Sequence, residues 1–377
     1  MSLTLRTISR EQHLAYIRSL PSASHMQVPA WADVKSEWRS ESLGWYDSYG
    51  KLVGVGLVLY RQLPKVKRYL AYLPEGPVIN WYAPNLEDWL QPMLAHLKAQ
   101  GAFSVKMGPP VVIRRWDAKA IKAGIQNPEV KRLRDVEATF LEPRAFEVSD
   151  KLRRMGWQQG EDGGAGFGDV QPRYVFQIPL AGRSLEEVHK EFNQLWRRNI
   201  KKAEKAGVEV VRGGYDDLAL WQQLYEVTAE RDKFRPRPLS YFQQMWQALN
   251  AETAGRGEEP RMRLYFAKHE GEAVAAATML IVGGHVWYSY GASANHKREV
   301  RPSNAMQWQM LRDAHAIGAQ VYDLRGIGDC LEDTDHLFGL IQFKVGTGGE
   351  AAEYLGEWDF PLNKLLHKAL DIYMSRR

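Results

Sequence analysis

Residues 52–60 read LVGVGLVLY, and residues 273–282 read AVAAATMLIV. Each is an apolar run of strand length behind a glycine turn, Tyr49-Gly50-Lys51 before one and Glu270-Gly271-Glu272 before the other. Such runs bounded by turn residues read as buried strands. The chain then continues twice in the same order. RYLAYLPEGPVI (68–79) and HVWYSYGAS (285–293) read as second strands. LEDWLQPMLAHLKAQ (86–100) and SNAMQWQMLRDAHAI (303–317) read as helices, closed by Gly101 and Gly318. AFSVKM (102–107) and AQVYDL (319–324) read as further strands. From Tyr72 to Tyr290 the offset is 218, and from Gly101 to Gly318 it is 217. An offset this steady predicts two copies of one domain. Strand–turn–strand–helix–strand predicts an α+β fold. The expected division is 1–165 and 166–345, with 346–377 left over.

Between the copies the pattern is less regular. PEVKRLRDVEATF (128–140) reads as a charged helix, and GEDGGAGFGD (160–169) reads as a linker. DFPLNKLLHKALDIYM (359–374) reads as a terminal amphipathic helix behind a proline.

Composition excludes several classes. The chain has 377 residues, 45% hydrophobic and 25% charged, so it is neither a disordered tail nor a collagen-like repeat. The single cysteine, Cys330, excludes an internal disulfide and a multi-cysteine zinc site. No apolar run reaches the roughly 20 residues of a membrane span, and no secretory signal is visible, so a cytoplasmic protein is expected. The net charge of +5 permits an anionic partner without demanding one. No GxGxxG or GxxxxGK[ST] run follows a strand, no HExxH or Cys/His cluster marks a metal, and no GxSxG marks a serine nucleophile. An enzyme without a nucleophile motif suggests a substrate that brings its own.

Four stretches carry candidate chemistry. Ser184 and Glu187 form a capping box at the start of an expected helix. Leu185, Val188, Phe192, Leu195, Trp196, Ile200 and Ala203 fall on one side of it. Arg197, Arg198, Lys201, Lys202 and Lys205 fall opposite, within an arc of about 140°. This cationic ridge is either a solvated face or a contact for a phosphate backbone, RNA first. TAERDKFRPRPLSYF (228–242) places Arg231 where a helix gives way to a Pro-rich loop; an arginine there suits phosphate, although an ordinary helix end is the simpler reading. Tyr288, Tyr290, Asp323 and Arg325 lie at ends of adjacent strands, where clefts form. Asp323 is a candidate base or amine-orienting group, or a partner of Arg325. Finally, GLIQFKVGTGGE (339–350) could aim a lysine and backbone N–H groups at an anion, or be a plain glycine-rich turn.

In combination, RRNIKKAEKAGVEV, TAERDKF, YGAS, MQWQML, YDLRGIG and FGLIQFKVGTGGEAAEYLGEWDFPLN resemble the peptidoglycan-branching Fem aminoacyltransferases. QVPAWADVK, YLPEGPV and QPRYVFQIPL add weaker likenesses in the first half. The resemblance implies two tandem GNAT-like domains, with 346–377 packing back onto the first. No sustained heptads are present, so it implies an armless, FemX-like member. It implies transfer of an amino acid from aminoacyl-tRNA to the stem-peptide amine of lipid II or UDP-MurNAc-pentapeptide. That reaction is ester aminolysis; no cofactor is expected, and aminoacyl-tRNA is the co-substrate. Glycine is the first expectation, with alanine and serine open.

By the same resemblance, Lys35 and Arg231 grip the precursor's diphosphate, and Tyr288 or Tyr290 lines its site. Phe343 and Lys344 form the pair at the acyl-transfer centre. The ridge becomes a tRNA contact, and Arg325, from its place at a strand end rather than from the resemblance, is a further substrate-binding candidate. One position departs from the family: relatives often carry an acidic residue before proline where this chain has Gly108 in KMGPP. The base is left unassigned between Asp323 and a relay through substrate and tRNA hydroxyls. The expected partners are charged tRNA and the precursor, with a monomer at the inner face of the membrane. The terminal helix and Trp358 are compatible with a membrane-surface substrate. The rival readings are an acetyl-CoA-dependent N-acetyltransferase, which lacks its R/Q-x-x-G-x-G/A loop here, and a non-catalytic RNA-binding protein.

Overall fold

The computed structural model describes residues 3–64, 66–160 and 170–368. The chain divides into two compact units. One comprises 1–115, 138–174 and 352–377; the other comprises 116–137 and 175–351. Both contain the repeated pattern found in the sequence.

In the first unit the sheet runs Thr4–Ile8, Arg39–Tyr46, Leu52–Gln62, Tyr69–Leu73, Ala102–Met107, Trp358–Pro361, Gln158–Gln159. Neighbours are antiparallel except Tyr69–Leu73 with Ala102–Met107, which are parallel and joined through the helix Glu87–Ala99. Parallel neighbours need such a crossover. Gly54 and Gly56 in the apolar run have a steric cause: a Cβ on Gly54 would meet the Trp89 ring at 2.8 Å. Trp45, fully buried, donates from Nε1 to the Trp89 carbonyl at 2.7 Å, which satisfies its one polar atom inside the core. Trp358 is also fully buried in this core, so it is no membrane-surface residue.

In the second unit the sheet runs Glu209–Gly213, Met262–His269, Glu272–Val282, His285–Ser293, Val321–Gly326, Tyr174–Pro179. His285–Ser293 and Val321–Gly326 are the parallel pair, joined through the helix Pro302–Ala316. The longest helices among the described residues have 15 residues, and none forms an extended arm.

Three expectations fail locally. PEVKRLRDVEATF forms only a 3-10 turn, Leu133–Asp135. Its backbone is drawn into pairing instead: Leu133 N donates to the Asp329 carbonyl at 2.7 Å and Leu331 N to Lys131 at 2.8 Å. Arg132 pairs with Asp329 as well, and these bonds explain why 116–137 belongs to the second unit. The helices around it, Ala118–Gln126 and Pro143–Arg154, were not anticipated. The expected single helix from Ser184 is two, Leu185–Glu191 and Gln194–Lys205. Phe192 turns extended (ψ 134°), and Asn193 caps the second helix by accepting from Trp196 N at 2.8 Å. The break resets the helical phase, which leaves Leu195 53% exposed rather than on the apolar face. The linker residues 161–169 lie outside the described residues, as does the end of the expected terminal helix beyond Lys368.

Candidate active site

The second unit holds the most developed site. Its two parallel strands pair only from His285–Trp287 to Val321–Asp323. Beyond this, His285–Ser293 continues along Glu272–Val282 as far as Ser293, while Val321–Gly326 follows Tyr174–Pro179. The strands part, and a wedge opens between them. In the first unit the equivalent strands stay paired from Tyr69 to Leu73.

The floor of the wedge is strained. Arg325 has φ 62°, a left-handed conformation for a residue with a Cβ, at an irregularity between Asp323 and Gly326. Such a conformation costs on the order of 1–3 kcal/mol and persists where neighbours over-determine it. Here they do. Arg325 N donates to Asp323 Oδ1 at 2.6 Å. From the helix Phe338–Val345, Lys344 Nζ donates to the Gly326 carbonyl at 2.6 Å and the Arg325 carbonyl at 3.4 Å.

Lys344 is only 4% exposed. Burial pushes its ammonium down to about 7; the Asp323 charge works against this and Arg325 works with it. Asp323 is 2% exposed and accepts from Gln177 Nε2 at 2.9 Å and His285 Nε2 at 3.2 Å. Burial alone would raise its carboxyl, but bonding and charge from His285, with Arg325 and Gln177, hold it below the ordinary range. The His285 ring stacks on Trp287 at 4.1 Å. Phe343 lies half-buried against Trp196, ring centroids 4.6 Å apart, and its carbonyl accepts from Trp196 Nε1 at 2.7 Å. The ridge helix and the Lys344 centre are thereby tied together.

The glycines of GTGG have packing roles. A Cβ on Gly346 would meet the Trp196 ring at 2.3 Å, on Gly348 the Glu191 carbonyl oxygen at 2.4 Å, and on Gly349 the Gln177 carbonyl oxygen at 2.3 Å. Close contact with a tryptophan ring and two backbone carbonyls accounts for them without an anion cradle.

The two candidate tyrosines separate. A register shift between Thr278 and Met279 pairs these residues with Tyr290 and Tyr288, leaving Ser289 as the extra residue. A bulge of this kind resets the alternation of side chains. Tyr288 bonds toward Gln307 on the helix Pro302–Ala316, and burial pushes its phenol up to about 12. Its hydroxyl lies over Gly291, where a Cβ would come within 1.6 Å. Tyr290 packs instead with Tyr225, Tyr241 and Phe242, its hydroxyl 3.4 Å from that of Tyr241.

Arg231 is committed within the unit. Nη1 donates to the Ser293 carbonyl at 3.1 Å and Asn295 Oδ1 at 3.2 Å, while Nε and Nη2 bind Asp232. Arg197 donates to the Lys190 carbonyl at 3.1 Å. Arg198, Lys201, Lys202 and Lys205 are exposed, and no described carboxylate pairs with them. Lys35 belongs to the first unit, partly buried at the end of the helix Trp31–Val34. His285, Gln177 and Trp196 were not singled out as site residues from sequence. HVWYSYGAS and QPRYVFQIPL contain two of them, but nothing in either run marks a partner for a distant aspartate.

Among the described residues no group of three His, Cys, Asp or Glu side chains could hold a metal ion, and no helix is long and apolar enough to cross a membrane.

Two units that repeat one antiparallel–parallel pattern, the second with a parted strand pair, define a protein of tandem GNAT-like build. Comparison with known proteins agrees. A model of the GNAT acetyltransferase domain matches residues 191–336. The FemAB family model matches residues 8–254, more than half of the chain, and the chain belongs to that family. It is 24% identical to lipid II:glycine glycyltransferase of Staphylococcus epidermidis (strain RP62A), over 97% of this chain and 94% of that one. It is 23% identical to the enzyme of the same name from Staphylococcus aureus (strain MRSA252), with the same coverage. Among solved structures, FemX shares the fold with a TM-score of 0.78 at 21% identity, covering 97% of this chain and 99% of that one. A tandem GNAT protein from the clavulanic acid biosynthesis pathway matches at 0.52 and 10% identity, covering 96% and 99%.

Proposed function

We propose that this protein transfers an amino acid from aminoacyl-tRNA to the stem-peptide amine of a peptidoglycan precursor, with Lys344 at the transfer centre. One observation carries the reading: a buried lysine at the floor of the wedge, fixed by two backbone carbonyls and attended by a buried aspartate. Family membership and the glycyltransferase relatives support the reaction class. They also favour glycine over alanine or serine, and lipid II over UDP-MurNAc-pentapeptide.

The acceptor amine attacks the acyl carbonyl carbon of the aminoacyl ester. A C–N bond forms and the ester C–O bond breaks. The proton from the amine passes to the departing ribose oxygen. A protonated lysine has three donors. Two are engaged by the carbonyls of Arg325 and Gly326, so the third is available to the developing oxyanion, where a fixed donor acts best. Asp323, with its carboxyl held low and its oxygens occupied by Gln177, His285 and Arg325 N, serves as counter-charge and anchor rather than base. Phe343 sets the lysine's approach through its contact with Trp196. The exposed cations Arg198, Lys201, Lys202 and Lys205 offer a phosphate-contacting face for tRNA, with Arg197 at its edge. Lys35 and Arg231, with Tyr290, belong to acceptor binding; for Arg231 the role is to hold the strand end rather than to reach a diphosphate freely. The enzyme works as a monomer at the cytoplasmic face of the membrane, with no cofactor.

The test is transfer of radiolabelled amino acids from a total charged tRNA pool to lipid II and to UDP-MurNAc-pentapeptide in parallel. Labelled product on either supports the reading. No product on either, with acetylation of an amine from acetyl-CoA, would replace it with the acetyltransferase reading.

A further inference from the structure

We propose that loop 233–238 of the second unit docks on an anionic lipid bilayer and brings the Tyr290 side of the site to a lipid-linked acceptor. The inference rests on the acceptor assigned above, for a chain in which no described helix can span a membrane.

The loop reads KFRPRP. Lys233 ends the helix Leu218–Asp232 in a left-handed conformation, φ 56°, and all six loop residues are exposed. Three of the six are cations and none is acidic. The preceding carboxylate, Asp232, has both oxygens on Arg231. No described carboxylate pairs with Lys233 or Arg235, so their charge faces outward uncompensated. Among these cations Phe234 is 39% exposed, an apolar ring with no polar atom to satisfy.

The loop is held rather than loose. Phe234 N donates to the Ala229 carbonyl at 3.1 Å, and its ring rests on Tyr225 at 5.5 Å. Gln222 Nε2 donates to the Arg237 carbonyl at 3.1 Å. Pro236 and Pro238 restrict the backbone further, which lowers the ordering cost of docking. The Arg237 guanidinium lies over the Tyr241 ring at 5.1 Å, and Tyr241 meets Tyr290. The loop therefore borders the Tyr290 cluster, the side of the site assigned above to the acceptor. Basic residues around an exposed aromatic are what a peripheral anchor presents to anionic headgroups. A phenyl ring buried at the interface and cations at phosphate level fit that environment better than a duplex RNA backbone, which has no place for the ring.

The experiment is co-sedimentation of the full chain with vesicles of phosphatidylcholine alone and of equimolar phosphatidylcholine and phosphatidylglycerol. Binding should require phosphatidylglycerol and fall with salt. The triple variant K233S/R235S/R237S should bind roughly 100-fold more weakly, from about fivefold per cation. Phe234→Ser alone should weaken binding at high salt more than at low salt. Each variant should keep the wild-type circular dichroism spectrum and transfer to detergent-solubilised lipid II in vesicle-free buffer, while losing transfer to vesicle-embedded lipid II. Equal vesicle binding by wild type and triple variant overturns the proposal. So does loss of total-tRNA retention in a filter assay with vesicle binding intact, which would assign the loop to nucleic acid. Absence of transfer from the wild type to any acceptor would remove the catalytic reading but leave the vesicle result standing.

Discussion

Tyr288 and Tyr290 are two residues apart on one strand, yet their phenols face different helices, because Ser289 is an extra residue in the strand's pairing with Glu272–Val282. The consequence is a division of labour. Tyr290→Phe should raise the KM for the acceptor with little change in melting temperature. Tyr288→Phe, which strips a bond to Gln307 inside the unit, should cost about 1 kcal/mol of stability and leave the acceptor KM alone. Steady-state kinetics with thermal denaturation separates them; a KM change in the second variant and not the first would reverse the assignment.

Lys344→Met keeps the side chain's length and removes its charge and donors. Transfer should fall by about 100-fold or more, the loss typical of one oxyanion donor. Acceptor binding by calorimetry should persist. Normal turnover would take Lys344 out of the reaction.

The same lysine sets a pH dependence of two signs. Its native ammonium sits at about 7 against an ordinary 10.5. Between these values the unfolded chain binds the extra proton, so stability rises with pH through this window, by at most about 1.4 kcal/mol per unit. Transfer that uses the charged form should decline as pH rises through about 7. Urea denaturation and single-turnover rates across this range test both. Lys344→Met should abolish the stability slope; an unchanged slope would assign it to another group.

Reversing Arg198, Lys201 and Lys205 to glutamate should raise the KM for charged tRNA by about tenfold or more and flatten its salt dependence, since each phosphate contact contributes to that slope. An unaltered KM returns the ridge to solvent.

Lys35→Ala should weaken acceptor binding by about tenfold at low salt and less at high salt. Calorimetry at two ionic strengths decides it, and an unchanged dissociation constant would remove Lys35 from the site.

The repeat was legible because apolar runs and terminating glycines survive in both copies. LVGVGLVLY and AVAAATMLIV are strands, and Gly101 and Gly318 do close their helices. The lysine of GLIQFKVGTGGE stood out beside its glycines, and family likeness gave Lys344 its role, but its environment could not have been read locally. The carbonyls it binds are 18 and 19 residues away, and Gln177 lies 146 residues from Asp323. The break at Asn193 was missed because the apolar spacing runs through it; the cap that makes it is tied by Asn193 N to the Gly346 carbonyl at 2.8 Å. The 128–140 segment was misread for a similar reason. Its charges suit a helix, but pairing around Asp329 claims its backbone.

The strand Trp358–Pro361 fills the place between Ala102–Met107 and Gln158–Gln159 in the first unit. During synthesis the amino-terminal half therefore leaves the ribosome with an open sheet edge and a core short of Trp358. It waits in that state while 175–351, the larger part of the second unit, is made. An unpaired edge is a template for association with other chains. Order of synthesis and order of completion are thus inverted: the unit begun first is finished last, and a nascent chain interrupted after the second unit would hold one complete domain and one sheet lacking a strand.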